Sequence, residues 1–234
     1  MRDPAIYRRR AAAVCLVLAG ALSAVFTLLA AAPGWGSDDV ERLQAIVEAG
    51  DRASLSFMAF ALYQGPLAVG LLGVAHLVRG RAPILSSLGA TFAVAGAFGY
   101  AVYGGAQLLI PAMAADPANL EVFAQLRSDA EPLTGPFGAV GMVGFVVGLV
   151  LLSIGLWRAR VGQRWIAVAA WVFVVVEFVG TSITPAASFV SAGLLTALLV
   201  GLGVLVWRSP AAAWVAGVDA VPAALTEPRV AAPR

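Results

Sequence analysis

One carboxylic acid lies in the middle of an apolar stretch of this chain. Glu177 stands between Trp171-Val-Phe-Val-Val-Val and Phe-Val-Gly180, in a segment long enough to cross a bilayer. A bare charge there costs roughly 2.5 kcal/mol or more, so we expect Glu177 to be protonated or tightly hydrogen-bonded. Glu177 is then either a proton donor, proton carrier or cation ligand, or a neutral group that joins helices by hydrogen bonds to Tyr100, Tyr103 or Gln64.

Several other polar side chains fall at a similar depth in the apolar segments. Residues three or four positions apart are neighbours on a helix, so these side chains give their segments a polar face. The sequence therefore predicts one polar pocket in the outer half of the bilayer. Its predicted ligand-binding residues are Tyr63, Gln64, Tyr100, Tyr103, Gln107, Glu177 and Thr181.

The sequence contains few other residue patterns that indicate a catalytic or metal-binding site. It has no nucleophile elbow, phosphate loop, redox pair or cluster of metal-binding residues, and its single cysteine, Cys15, has no partner. We expect no cofactor and no metal. Catalysis would usually need a second titrating group near Glu177, and the sequence shows none at that depth.

Composition indicates an integral membrane protein. The chain is 61% hydrophobic and 12% charged, and its mean hydropathy is +0.90. All of its basic residues other than His76 are arginines, and they are dispersed rather than clustered on one stripe. We therefore expect membrane lipids as partners and no nucleic acid.

The apolar segments predict an all-α bundle of six transmembrane helices. Arginines follow alternate segments, which predicts that both termini are cytoplasmic. Residues 1–208 would form the transmembrane domain and 209–234 a flexible cytoplasmic tail. The predicted spans are about 11–32, 54–78, 84–110, 137–157, 164–184 and 186–207.

The first segment also allows a second interpretation, a cleaved signal peptide. It has a basic start, an apolar stretch and the small residues Ala30-Ala31-Ala32 before Pro33. The apolar run is long for a signal sequence, and the other five spans would keep their topology without it.

Two acidic loops predict short amphipathic helices on the outer surface. Asp38 and Glu41 have capping-box spacing. In the second loop Asp116-Pro117 would begin a helix and Glu131-Pro132 would end it. We expect each helix to lie at the interface as a lid over the polar pocket.

Small residues predict how the spans associate. Gly89, Ala93, Ala97, Ala101 and Gly105 recur at every fourth position and would form a ridge for close helix contact.

A repeat of the first two spans by the next two is a further possibility. The stretch from Gln64-Gly-Pro to Gly70 and Gly73 resembles the stretch from Thr134-Gly-Pro to Gly141 and Gly144. Chance is the alternative, because glycine, alanine and valine are abundant here.

The order of features along the chain resembles that of a known protein family. Its features are the basic start before Ala11, the acidic loop from Ser37, the Arg79-Gly-Arg81 turn, and Arg158-Ala-Arg-Val-Gly-Gln-Arg164-Trp-Ile. It is similar to uncharacterised six-span integral membrane proteins, of the domain-of-unknown-function type, from high-GC Gram-positive bacteria. The resemblance implies a multi-pass protein of the bacterial plasma membrane and brings no activity with it.

Three functions remain open at this point. The first is a non-enzymatic protein that binds a small apolar or amphipathic ligand, or a membrane protein partner, through the outer pocket. The second is a membrane-embedded enzyme that uses Glu177 as a general acid on a lipid-soluble, prenyl-like substrate, with Asp39 or Asp129 as a second acid. The third is a small proton-coupled exporter, for which the inner halves of the spans offer few polar groups.

Overall fold

The chain is all-helical over the residues that a computed structural model describes, which are 4–30, 38–184 and 186–215. Six of the described stretches are long and apolar enough to cross a membrane. The predictions of an all-α fold and of six helices that could span a membrane are therefore confirmed for these residues, and the orientation in the membrane stays a prediction. The helices are α1 (Pro4–Leu29), α2 (Asp39–Ala49), α3 (Asp51–Val78), α4 (Pro83–Gln107), α5 (Ile110–Ala114), α6 (Leu120–Ala159), α7 (Arg164–Val175), α8 (Thr181–Ile183) and α9 (Ala186–Arg208).

The six long helices form a closed ring. Helix α1 packs against α3 and α9, α3 against α4, α4 against α6, α6 against α7, and α7 against α9. Each neighbour runs antiparallel to the next, as contacts such as Gly20 with Thr196 and Gly203 with Ala13 require. The first and last helices therefore meet and close the bundle.

Most of the described arginines lie at one end of this ring, which we call the arginine end. Arg9 donates to the Ser209 carbonyl at 2.7 Å, and Arg81 donates to the Ala159 carbonyl at 2.8 Å. Arg164 lies 5.2 Å from the Trp157 ring. The other end carries α2 and α5, and we call it the cap end.

The ring is filled by leucines in its arginine half. Leu71, Leu149, Leu152, Leu198 and Leu202 are all buried and surround an apolar void of only about 10 Å³. A void of this size holds at most about one water molecule. The centre of the bundle is thus closed by hydrocarbon between Glu177 and the arginine end.

Helices α4 and α6 make the closest contact in the bundle. A Cβ atom on Gly144 would lie 2.5 Å from the Gly96 nitrogen, and one on Gly99 would lie 2.6 Å from the Gly141 nitrogen. The predicted ridge is only partly correct. Gly89, Ala93 and Ala97 are buried, but Ala101 and Gly105 are exposed. A strict four-residue spacing drifts around a helix of 3.6 residues per turn, so the contact face continues through Gly96 and Gly99.

The two stretches of the proposed repeat contact their partner helices in the same way. Gly70 faces Leu16 and Gly73 faces Ala12, four residues earlier on α1. Gly141 faces Tyr100 and Gly144 faces Gly96, again four residues earlier, on α4. This common register is what a duplication predicts, and the duplication itself stays a prediction.

The cap consists of α2, α5 and the first turns of α6, and it has its own apolar cluster of Leu43, Ile46, Ile110, Ala114 and Ala124. The predicted capping of α2 is present, because the Asp38 carboxylate accepts from the Glu41 N–H at 2.7 Å. An ion pair also joins α2 to α6 across the cap, between Asp39 Oδ1 and Arg127 Nε at 3.1 Å.

The second predicted surface helix does not end at Glu131-Pro132. Helix α6 continues through Pro132 and Pro136 as one helix of 40 residues. Prolines are tolerated in such helices when nearby hydroxyls and neighbouring helices compensate for lost backbone bonds. Here Pro132 and Pro136 remove the donors to the Ser128 and Pro132 carbonyls, and packing of α6 against the cap and against α4 keeps the helix continuous. The lid and the fourth span are therefore a single element.

The third predicted span contains a break within a candidate membrane stretch that runs from Pro83 to Ala114. Helix α4 ends at Gln107, and the separate short helix α5 begins at Ile110. Pro111 has no N–H to donate to the Gln107 carbonyl, which is consistent with the break at residues 108–109 and with the position of Pro111 in the first turn of α5.

The beginning of the predicted flexible tail is folded. Trp214 is 3% exposed, stacks on His76 at 4.8 Å between ring centroids, and donates to the Ser209 hydroxyl at 2.7 Å. The prediction is therefore wrong for residues 209–215, because it overlooked an aromatic anchor. Residues 216–234 and the possible cleavage site at 31–33 lie outside the described residues.

Candidate functional site

Glu177 lies on a π-helical turn, Val176–Gly180, between α7 and α8. The Thr181 N–H donates to the Val176 carbonyl, five residues earlier instead of four. The Glu177 carbonyl, which that N–H would bond in an α-helix, accepts from the Thr181 hydroxyl instead. Turns of this kind are rare and occur frequently at functional sites.

The π turn changes which residues share a face. The α-helical spacing that aligned Glu177 with Thr181 does not apply here, since the turn contains an additional residue. The Thr181 hydroxyl is engaged with the backbone of its own segment. In the structure this hydroxyl stabilises the turn that carries Glu177.

The side chain of Glu177 is half-buried and hydrogen-bonded to the next span. Its Oε2 accepts from the hydroxyl of Ser191 on α9, and Ser191 is 1% exposed. The predicted hydrogen bonds from Glu177 to Tyr100, Tyr103 or Gln64 are not formed among the described residues. Sequence reasoning missed Ser191, although a serine within the apolar sixth segment was a signal that could have indicated it.

Tyr63 and Gln64 lie inside the bundle at a similar level. Tyr63 is 7% exposed and Gln64 is 1% exposed. The Gln64 amide Nε2 donates to the Phe60 carbonyl at 3.1 Å, whereas its Oε1 is buried and has no donor. Buried acceptors of this kind are uncommon and often indicate a bound water or ion.

Aromatic rings connect these groups. The Phe60 ring lies 5.7 Å from the Tyr63 ring, 5.6 Å from the Tyr100 ring and 5.0 Å from the Phe26 ring. We call Tyr63, Gln64 and Tyr100, which surround Phe60, the interior polar cluster.

A separate cavity of about 150 Å³ lies under the cap, between α4, α5 and α6. Two of the predicted ligand-binding residues, Tyr103 and Gln107, line it. Its other polar residues, Arg127, Glu131 and Thr134, were not predicted. Arg127 and Glu131 were expected on a detached lid, and Thr134 at the entry to the fourth span. The apolar part of the wall is Ala106, Leu109, Ile110, Met113, Leu126 and Ala130.

The structure divides the residues of the predicted single pocket. Tyr63, Gln64 and Tyr100 belong to the interior polar cluster, Glu177 is bonded to Ser191, and Tyr103 and Gln107 line the cavity under the cap. Tyr103 packs against Gly138 of α6, one turn further toward the cap end than the contact of Tyr100 with Gly141. The two tyrosines therefore mark the boundary between the sites.

Over residues 4–30, 38–184 and 186–215, His, Cys, Asp and Glu nowhere form a group of three that could hold a metal ion. Comparison of the chain with protein-family models, with curated proteins and with solved structures finds no match.

Proposed function

We propose that this protein binds a small amphipathic or apolar ligand in the cavity under the cap, without a chemical reaction. The observation that carries the proposal is the mixed wall of that cavity. Apolar side chains from α4, α5 and α6 line it together with Tyr103, Gln107, Arg127, Glu131 and Thr134. Binding sites for small molecules usually combine an apolar wall with a few polar groups that fix orientation.

The volume limits what the cavity holds. At about 150 Å³ it accommodates a benzene-sized group, so it would enclose one part of a larger molecule. Glu131 and Arg127 offer both an acceptor and donors to a polar head group. Arg127 is already paired with Asp39, which leaves the wall with little net positive charge.

The setting of the proposal is the bacterial plasma membrane, with lipids around the bundle. A protein partner in the membrane is the alternative occupant of the cap, and no nucleic acid is expected. The predicted resemblance to uncharacterised six-span proteins agrees with this setting.

Native mass spectrometry of protein extracted from its own membranes tests the proposal. We expect a discrete small-molecule adduct on the wild type and its loss in Ala130→Phe, because the new ring would fill the cavity. Ala101→Phe is the matched control, since Ala101 lies on the exposed face of α4. An adduct that persists in Ala130→Phe, or a wild type that carries none, would refute the proposal.

A membrane-embedded enzyme is the second candidate, and the π turn at Glu177 favours it. The general acid would need a second acid, and both earlier candidates are engaged elsewhere. Asp39 pairs with Arg127 at 3.1 Å, and Asp129 accepts from Gln125 at 2.8 Å. Glu177→Gln would abolish turnover of a prenyl-like substrate while the fold persists; unchanged turnover would exclude Glu177 as the acid.

A proton-coupled exporter is supported least. It needs a polar path between the two ends of the bundle, and the leucine layer leaves a void of only about 10 Å³. The described side chains around that void include one hydroxyl, Ser153, which already donates to Val150 and accepts from Trp171.

A further inference from the structure

The cavity under the cap has a negatively charged wall. Of the described residues that line it, Arg127 and Glu131 are the two that carry a charge. Arg127 Nε lies 3.1 Å from Asp39 Oδ1, whereas Glu131 forms no ion pair with any described residue. Glu131 is exposed, and a solvated carboxylate is ionised at neutral pH. The pair of Arg127 and Asp39 is neutral, so the charge of Glu131 remains.

The Glu131 side chain is folded along α6, away from the cap end. A Cβ atom on Gly135 would lie 2.5 Å from Glu131 Oε1 and 3.2 Å from its Cδ. The carboxylate therefore occupies the space that a side chain at position 135 would take. Glycine at this position allows the carboxylate to lie against the helix, about one turn beyond the residue that carries it.

The aromatic ring of Tyr103 lies beside this carboxylate. A Cβ atom on Gly138 would lie 3.2 Å from Tyr103 Cδ2, so the ring covers position 138 as the carboxylate covers position 135. Positions three residues apart are neighbours on a helix, about 5–6 Å from each other. The negative charge and the ring are therefore adjacent on α6, and both residues line the cavity.

The other polar groups of the wall add hydrogen-bond acceptors. The Thr134 hydroxyl donates its proton to the Ala130 carbonyl at 3.2 Å, so its oxygen remains available only as an acceptor. Gln107 offers an amide oxygen from α4. A ligand group that donates hydrogen bonds is thus suited to this wall.

We propose that the ligand of this cavity is a small organic monocation, an amine whose ammonium group is attached to a compact apolar body. This inference rests on the proposed function and names the chemical class of its ligand. The ammonium group would donate to the Glu131 carboxylate and contact the Tyr103 ring, as cations do with aromatic faces. The apolar body would contact the aliphatic side chains of α5 and α6, such as Met113 and Leu126.

The size of the cavity limits the amine to one that carries about a single ring. The volume of about 150 Å³ matches a benzene-sized body. An anion of the same size would meet the like charge of Glu131, and Arg127 is held by Asp39. Charge should therefore separate ligands of equal shape.

Titration calorimetry of the full chain tests this class with three probes that share one ring and differ in charge. At neutral pH benzylamine is a cation, benzyl alcohol is neutral and benzoate is an anion. The protein would be held in phosphatidylcholine nanodiscs at fixed ionic strength, and empty nanodiscs would correct for partition into lipid. We expect benzylamine to bind about three- to thirtyfold more tightly than benzyl alcohol, and benzoate to bind most weakly.

Two variants connect the preference to the carboxylate. Glu131→Gln should lower the affinity for benzylamine to that for benzyl alcohol, and should leave benzyl alcohol binding unchanged. Gly135→Ala should reduce the same preference, because the atoms nearest to the new Cβ all belong to Glu131, whose flexible end would move aside. Alanine also favours a helix over glycine, so the fold is expected to persist.

Each variant has a matched control on an exposed helix face outside the cavity wall. Glu121→Gln removes a charge from the first turn of α6, and Gly105→Ala adds a Cβ that meets nothing within 4 Å. Both controls should keep the wild-type preference for benzylamine.

Two results would overturn the assignment of an amine. One is a wild type that binds benzylamine no more tightly than benzyl alcohol, or not at all. The other is a preference for benzylamine that Glu131→Gln leaves unchanged. Failure of the cavity itself is distinguishable, because Ala130→Phe would then leave the binding of every probe unchanged. Benzyl alcohol binding that is lost in Ala130→Phe would preserve the proposed function even where the amine preference is absent.

Discussion

At the scale of single residues, Glu177 was recognisable because its type conflicts with its surroundings. A carboxylate within an apolar segment needs a partner, and this reasoning also selected Tyr63, Gln64 and Tyr100. Its actual hydrogen-bond partner, Ser191, was visible as a serine in the apolar sixth segment, but its pairing with Glu177 depends on how the π turn after α7 meets α9. Arg127 was overlooked for a similar reason, since its position under the cap follows from the continuity of α6.

The bond between Ser191 and Glu177 predicts a measurable loss of stability. Ser191→Ala should lower the free energy of unfolding by about 0.5–1.5 kcal/mol, the usual range for hydrogen bonds between membrane helices. Ser182→Ala is the control, because Ser182 is exposed and bonds only the Val179 carbonyl of its own segment. Denaturant titration of the two variants in the same detergent would measure both, and equal losses would contradict the assignment.

At the scale of helices, length and apolar composition were sufficient to predict six spans, and Asp38 predicted the start of α2. The same reasoning failed at the π turn and at Pro132. A π turn has no residue pattern of its own, because it is set by contacts with neighbouring helices. Pro132 is usually a helix breaker, but α6 retains contacts with the cap before it and with α4 after it.

The contact between α4 and α6 gives a prediction at this scale. Gly144→Ala should destabilise the protein by about 1–3 kcal/mol, because the new Cβ would meet backbone atoms of Gly96 that cannot move aside. Gly105→Ala provides the comparison within α4. A Cβ there meets nothing within 4 Å, so the change should be neutral or stabilising by up to about 1 kcal/mol. The opposite order of stabilities would refute this account of the interface.

At the scale of the whole molecule, the closed order of helices was not predicted. Charge alternation predicted which helix ends lie together, and most of the described arginines do lie at one end, where Arg9 and Arg81 bond backbone carbonyls. It carried no information about which helices are neighbours around the ring. The meeting of α1 and α9, and the folding of Trp214 against His76 beside Gly73, arise only when the ring closes.

This closure should depend on Trp214. Trp214→Ala should lower the free energy of unfolding by about 3–5 kcal/mol, since a fully packed indole is removed. Trp207→Ala should have a smaller effect, because Trp207 is 49% exposed at the same end of the bundle. Hydrogen exchange of α1 and α9 would report the same difference, and equal exchange in both variants would show that the ring closes without this anchor.

The leucine layer in the arginine half has an electrical consequence. A unit charge that crosses the full membrane potential changes in energy by about 2.3 kcal/mol per 100 mV. The layer leaves a void of only about 10 Å³, so a charge would meet hydrocarbon there and would find no polar path across the bundle. The bundle should therefore remain an electrical insulator under an applied voltage.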